Sequence, residues 1–300
     1  MTTECGANAA IATTHREAIL AVRPDLGDVP MVVHDDGWDC LAVEAGASLF
    51  KFPLHPAAEW RLRREPRALA LIGPRVRLAV PQMRLHERPV LMSEHTLIAG
   101  EAVDPARYAR LDASERERLA HDLAAFYAEI HAIVPEAVAA ADCDALRPFP
   151  PGVVLLDTLR GRIAPALYAE AEAIATAHDA AGPDMAVFGH FDTHGWNMAY
   201  DGAAGRLRGL FDFAGCGVGP LHRDLSYTMF VAPDLTRRIV AGYRTLTGRP
   251  VDLGRVFGAH GFLRVIELCA ALDEGKALAQ FVAALEAFVT SAAAGHAGDA

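Results

Sequence analysis

The sequence predicts an α+β chain of two lobes. A small β-rich lobe spans residues 1–98, and a larger, mainly helical lobe spans residues 99–300. Three observations carry this reading. Short apolar runs separated by turn residues fill the first hundred positions, and the apolar spacing becomes helical near Gly100. The apolar content of 52% is enough to fill a sizeable core.

In the N-terminal lobe, residues 1–10 are expected to be a loose tail. A short helix follows from Thr14 to Val22, with Ala18, Ile19 and Val22 as its apolar stripe. Met31–His34, Asp39–Val43 and Ser48–Phe52 are strand-like runs, separated by turns at 35–37 and 44–47. Lys51 lies between Phe50 and Phe52, and strand alternation points it away from both. On spacing alone an exposed edge lysine is also compatible. Pro56–Ile72 is helix-like but contains Pro66, which favours extended geometry at Glu65 and costs about 3 kcal/mol in an uninterrupted helix. A kink or a restart is expected there. Pro89–Ser93 is a further strand, and His95–Glu101 the passage out of the lobe.

Helical signals dominate the rest. Ser114-Glu-Arg-Glu117 has a capping-box pattern, followed by a stripe of Leu119, Leu123, Phe126, Ile130 and Val134. His131 is expected to be packed or capping. A loop is expected over Pro148–Gly152, a helix over Arg160–His178 and an extended segment over Met185–Phe188. Further helices are expected over Leu235–Tyr243, Leu253–Cys269 and Ala277–Ala293, with a frayed end from Gly295.

Charge and cysteine usage narrow the function. A net charge of −10 argues against a nucleic-acid binder and suits a cationic small molecule. The five cysteines are scattered and never form Cys-x-x-Cys, which speaks against a structural zinc or a disulfide framework. No signal peptide and no apolar run of membrane-spanning length is visible, so a cytoplasmic protein without membrane or nucleic-acid partners is expected.

The chain is organised around Gly189-His-Phe-Asp192-Thr-His194-Gly-Trp-Asn197 and Leu210-Phe-Asp212-Phe213. Asn197–Tyr200 and Leu207–Phe211 read as two strands of a hairpin, with turn formers between them. Pairing Tyr200 with Gly209 places Asn197 opposite Asp212. A neutral oxygen and a carboxylate then converge beside Asp192, a plausible magnesium site next to a candidate base.

The His-x-Asp-x-x-x-x-Asn spacing and the later Asp resemble the catalytic and metal loops of the aminoglycoside phosphotransferase and choline kinase-like family, which shares the protein kinase fold. Lys51-Phe-Pro and Ile98-Ala-Gly-Glu101 resemble family segments as well. The resemblance implies a bilobal fold with ATP or GTP between the lobes. It implies Asp192 as catalytic base, Asn197 and Asp212 as ligands of Mg2+, and Lys51 on the nucleotide phosphates with Glu65 as its partner, Glu59 in reserve. His194 stands where protein kinases place a lysine and is expected to reach the γ-phosphate. His95 and Leu97, on the passage between lobes, are the remaining candidates for nucleotide binding. His190 is expected to buttress the catalytic loop, and Asp224 to precede a helix and anchor that loop without a chemical role.

The resemblance leaves several points open. Phosphates are to be covered by the loop at 36–38 or that at 44–48. Phe191 and Ala214 replace glycines of the family pattern. The leading reading is a small-molecule kinase acting on a hydroxyl of an aminoglycoside-like antibiotic. A metabolic kinase for choline, homoserine or a sugar is the alternative, and a nucleotide-binding protein without turnover the third reading. Carboxylates lining the acceptor pocket would discriminate the first two, with Glu267, Asp273 and Glu274 as candidates. No Ala-Pro-Glu follows Asp212, which disfavours a protein-serine kinase.

Overall fold

The computed structural model describes residues 13–34 and 37–296, so the expected loose ends lie largely outside the described residues. After helix α1 (Thr13–Val22), the strands β1 (Met31–His34), β2 (Cys40–Ala45) and β3 (Ser48–Pro53) form an antiparallel meander. Gly46, with φ +61°, makes the tight β2–β3 turn. Helix α2 (Pro56–Ile72) leads to β4 (Met83–His86) and β5 (Met92–Thr96), completing a five-stranded sheet in the order β1-β2-β3-β5-β4. Strand β4 was not expected, because Arg84 and His86 interrupt its apolar run. Its neighbour begins three residues later than the expected strand at Pro89, and His95 and Thr96 still belong to the ladder.

Helix α2 runs unbroken through Pro66, with Glu65 helical and buried. The expected kink or restart is corrected. Leu62, Ala68, Leu69 and Ile72 are all buried on this helix, and their burial outweighs one lost hydrogen bond.

The larger lobe begins with α3 (Pro105–Arg110), α4 (Ala113–Ile130) and α5 (Pro135–Ala140). The capping box of α4 is formed by Asp112 and Glu115, not by Ser114 and Glu117. Asp112 accepts from the Glu115 N–H, and Glu115 from that of Asp112. Val134 is exposed and caps α5, so it drops out of the expected stripe. Helix α7 (Pro165–Asp179) begins five residues later than the helix expected from Arg160, since Gly161 adopts φ +69° and Pro165 opens the first turn, and α6 (Gly152–Leu159), which was not expected, precedes it.

Strand β6 (Ala186–Gly189) pairs with β9 (Gly217–Pro220), and β7 (Met198–Asp201) with β8 (Arg206–Leu210). Helices α8 (Leu221–Ser226), α9 (Pro233–Thr247), α10 (Leu253–Asp273) and α11 (Ala279–His296) complete the chain. The main core gathers α4, α9 and the β6–β9 region, and α2 contributes Ala68 to Ile72 to it. A second cluster joins α6, α7, α10 and α11. Two short bridges tie the N-terminal sheet region to β7 and β8, Glu101 to Tyr200 and Ala79 to Gly209. At the first of them only glycine fits position 100, where a Cβ would lie 2.7 Å from the Ala199 carbonyl carbon. No helix among the described residues is long and apolar enough to cross a membrane.

Candidate active site

A cleft of about 510 Å3 brings Lys51, Glu65, Asp192, His194, Asn197 and Asp212 together. Lys51 extends from β3, whose alternation buries Phe50 and Phe52 on the other face. Its Nζ lies 3.1 Å from Asp212 Oδ1. The ion pair is therefore made with Asp212, which corrects the expected pairing with Glu65. Glu65 Oε1 instead accepts the Phe213 N–H at 3.1 Å, tying α2 to the segment that follows Asp212. Glu59, the reserve, is exposed.

The ionisation of these groups follows from the pairing. Burial alone would lower the Lys51 pKa, but the carboxylates of Asp212 and Glu65 outweigh it and raise it. Burial opposes charge on Asp212 too, and the Lys51 ammonium overcomes it, holding the carboxyl at about 2. Burial pushes Glu65 up to about 7 against the pull of Lys51, with Asp212 adding to the rise. The lysine thus keeps the carboxyl it contacts ionised.

The loop that carries Asp192 is held from behind. Phe191 and Asp212 both adopt left-handed backbone, with φ +58° and +57°. Asp224, fully buried in α8, accepts from the N–H groups of His190 at 3.2 Å and Phe191 at 2.5 Å, and from His131 Nε2 at 2.8 Å. These bonds over-determine a turn that a β-carbon disfavours, so phenylalanine is tolerated at position 191. Asp224 thus anchors the loop as expected, although it sits within α8 and does not precede it. His190 donates from Nε2 to the Phe211 carbonyl at 2.9 Å, while its Nδ1 accepts from the Asp192 N–H at 3.2 Å. It buttresses the loop, and the T-shaped contact with Phe213 at 4.6 Å extends that support to the metal loop.

The hairpin register differs by one residue from the expected one. Ala199 pairs with Gly209 and Met198 with Leu210, with a bulge between Ala199 and Tyr200. Asn197 therefore faces Phe211, whose N–H it binds through its carbonyl at 2.9 Å. The left-handed turn at Asp212 then places its carboxyl on the same cleft as Asn197.

Asn197 Nδ2 donates to the Asp192 carbonyl at 2.8 Å and to Asp192 Oδ2 at 3.1 Å. With the amide nitrogen spent, Oδ1 is the atom that remains for a cation. Burial first, and then the negative charge of Asp212, raise the Asp192 carboxyl well above its ordinary range.

His194 Nε2 lies 3.4 Å from Asp192 Oδ1 and 3.3 Å from Asn197 Nδ2, and burial lowers its pKa to about 4. It is neutral near pH 7, so it lacks the positive charge a lysine would carry there.

His95 and Leu97 are placed differently from the rest. His95 is buried within the sheet, with Nε2 2.8 Å from Ser93 Oγ and 3.9 Å from Glu65 Oε2. Burial, and then Lys51, lower its pKa to about 3. The Leu97 N–H is already bound to the Ala47 carbonyl at 2.9 Å. Neither residue lines the cleft. Of the two candidate phosphate loops, the β1–β2 connection supplies Gly37 and Trp38 to the cleft, whereas the turn at 44–48 supplies nothing to it.

Trp38, Trp196 and Phe230 also line the cleft and are not distinguished by the sequence. Trp196 lies inside the motif, between Gly195 and Asn197. Glu267 lines the cleft, but Asp273 and Glu274 do not. A second cavity of about 780 Å3, between α7, β9 and α10, contains none of the motif residues.

The model of the phosphotransferase enzyme family matches residues 13–257. The chain belongs to that family. Among solved structures of similar fold, the GDP and kanamycin complex of APH(2")-IIIa has a TM-score of 0.78 at 18% identity, over 93% of this chain and 99% of that one. Macrolide 2'-phosphotransferase type I follows at 0.67 and 20%, over 94% and 98%. The macrolide 2'-phosphotransferase MphH from Brachybacterium faecium has a TM-score of 0.65 at 23%, over 91% and 97%. A search of curated proteins found no match. The phosphotransferase is thus bilobal and kinase-like, with its motif residues on one cleft.

Proposed function

We propose that this phosphotransferase transfers the γ-phosphate of ATP or GTP to a hydroxyl of a small molecule. The observation that carries the reading is the meeting of Lys51, Asp192, Asn197 and Asp212 on one cleft. In this reading Asp192 accepts or orients the hydroxyl proton. Its raised pKa suits a group that takes a proton as the bond to phosphorus forms. Lys51 binds the nucleotide phosphates and neutral His194 contributes a ring nitrogen beside them. The division of the lobes near Ile98 belongs to the same proposal.

Asn197 Oδ1 and the ionised Asp212 are hard oxygen donors and fit Mg2+. No cluster of three or more His, Cys, Asp or Glu suited to a metal occurs among the described residues. Two protein ligands fit an ion that completes its shell with water and phosphate oxygens. When bound, the ion supplies charge neutralisation on those phosphates, while Lys51 and Asp192 hold the reacting groups in place.

The structural relatives that act on antibiotics support an antibiotic acceptor, and with it a role in resistance. An aminoglycoside-like acceptor was expected to be held by several carboxylates, of which only Glu267 lines the cleft. The test is magnesium-dependent consumption of ATP and GTP against a panel of hydroxyl compounds. Acceptor-stimulated turnover with a phosphorylated product is expected. A chain that binds nucleotide but never stimulates its consumption would return the reading to a binding protein.

A further inference from the structure

The acceptor side of the cleft differs in character from its phosphate side. Trp196 projects from the catalytic loop and is 57% exposed, and Trp38, on the β1–β2 connection, is 42% exposed. Both indoles line the cleft and offer it apolar ring surface. Phe230 completes the wall. His194 stands between, 5.7 Å from the Trp196 ring and 6.2 Å from the Phe230 ring, so the aromatic wall begins beside the Asp192 carboxylate.

Among the described residues, the two carboxylates that this side adds to the cleft, Glu267 and Asp39, already have cations. Glu267 Oε2 is 3.0 Å from Arg264 Nη1, and that guanidinium also lies over the Phe230 ring at 4.1 Å. Asp39 Oδ1 is 2.5 Å from Arg61 Nη2. Lys276 Nζ lies 3.3 Å from the centre of the Trp38 ring and 3.0 Å from Glu274. Asp273 pairs with Arg162 away from the cleft. A polycation would have to displace these partners before gaining a carboxylate, which removes most of the attraction it would otherwise feel.

We propose that this is an aromatic, charge-compensated acceptor subsite, in which Trp38, Trp196 and Phe230 select a hydroxylated acceptor of low charge with a flat apolar or carbohydrate C–H face. The proposal rests on the kinase reading for the position of the acceptor hydroxyl, and it narrows the substrate class. Trp38 and Trp196 are specificity residues in it, and neither touches the reacting atoms.

The test is calorimetric titration of the full chain, with magnesium and a non-hydrolysable ATP analogue present. One set of probes is low in charge, an uncharged aryl glycoside and a monoamine glycoside. The other is polycationic, with kanamycin as its member. Dissociation constants at least tenfold lower for the first set are expected, changing less than twofold between 50 and 500 mM salt. Trp196→Ala and Trp38→Ala are each expected to weaken that binding at least fivefold. Trp60→Ala, an exposed indole outside the cleft, is expected to leave it unchanged. Tighter and strongly salt-dependent binding of kanamycin would overturn the proposal, as would binding of neither set or an unaffected Trp196→Ala. Magnesium-dependent nucleotide turnover, measured in parallel, separates the two claims. Its absence alongside low-charge binding sinks the kinase reading and keeps the subsite.

Discussion

Glu65 and His95 are neighbours whose ionisation is shifted in opposite directions, and this has a thermodynamic signature. Glu65 has its pKa raised from 4.5 to about 7, so its contribution to stability is complete below 4.5 and lost as pH rises through 7. His95 has its pKa lowered from 6.5 to about 3, so its contribution is complete above 6.5 and lost as pH falls towards 3. Between these limits the unfolded chain protonates the histidine and the folded chain the glutamate, and the two slopes cancel. Glu65→Gln removes one side of the balance. The variant is expected to lose stability on acidification from pH 6.5 to 4.5 more steeply than the parent, by about 1.4 kcal/mol per pH unit. Denaturant titrations across that range check it, and parallel profiles would contradict it. The two aspartates Asp212 and Asp224 should separate just as clearly. Asp212→Asn tolerates the left-handed backbone but takes the partner from the buried Lys51 ammonium, so magnesium-dependent turnover is expected to fall at least about 100-fold with a loss of Tm smaller than that of Asp224→Ala. Asp224→Ala leaves His131 and two buried N–H groups without their acceptor, and is expected to cost about 3–5 kcal/mol of stability. Thermal melts and turnover of both variants distinguish the roles. A stable Asp224→Ala protein would show that the left-handed turn is held by something else.

At the scale of elements, α2 carries the clearest local conflict. Pro66 removes a hydrogen bond in mid-helix, and buried Leu62, Ala68, Leu69 and Ile72 hold the helix together across the gap. Pro66→Ala is expected to stabilise the protein by about 1–3 kcal/mol, raising Tm by several degrees. An unchanged or lower Tm would mean that proline's restriction of the unfolded chain outweighs the restored bond. The same helix shows what was legible in the sequence. Its extent from Pro56 to Ile72 was readable, but its continuity depended on tertiary burial that no local signal encodes. The candidate residues Lys51, Asp192, Asn197 and Asp212 could be singled out because the chemistry proposed for them fixes residue type and spacing, and all four line one cleft. The register of the β7–β8 hairpin was not, because the bulge at Ala199 is a property of packing and leaves no mark in the alternation. The choice of Asp112 over Ser114 as N-cap turned on a two-residue difference between equally suitable capping types. The aromatic wall went unremarked because a tryptophan in sequence carries no sign of whether it faces a core or a cleft.

The whole molecule joins these pieces through the bridges from residues 79 and 101 to β7 and β8, which bring the lysine of the sheet to the aspartates of the larger lobe. Lys51 and Asp212 make that contact directly at 3.1 Å, and Glu65 locks the metal loop to α2. The net charge of −10 would draw cations towards the surface from a distance, yet the paired carboxylates beside the aromatic wall give a polycation little to hold on arrival. The central claim is that this cleft performs phosphoryl transfer with Asp192 at the hydroxyl. The most direct measurement is steady-state turnover of Asp192→Asn at saturating nucleotide, with nucleotide affinity measured in parallel. A fall in kcat of roughly 100- to 10,000-fold is expected, with nucleotide affinity changed by no more than about threefold, because the phosphate contacts come from other residues. A variant with near-parental kcat on its best acceptor would contradict the account and leave Asp192 as a carboxylate that only orders the loop.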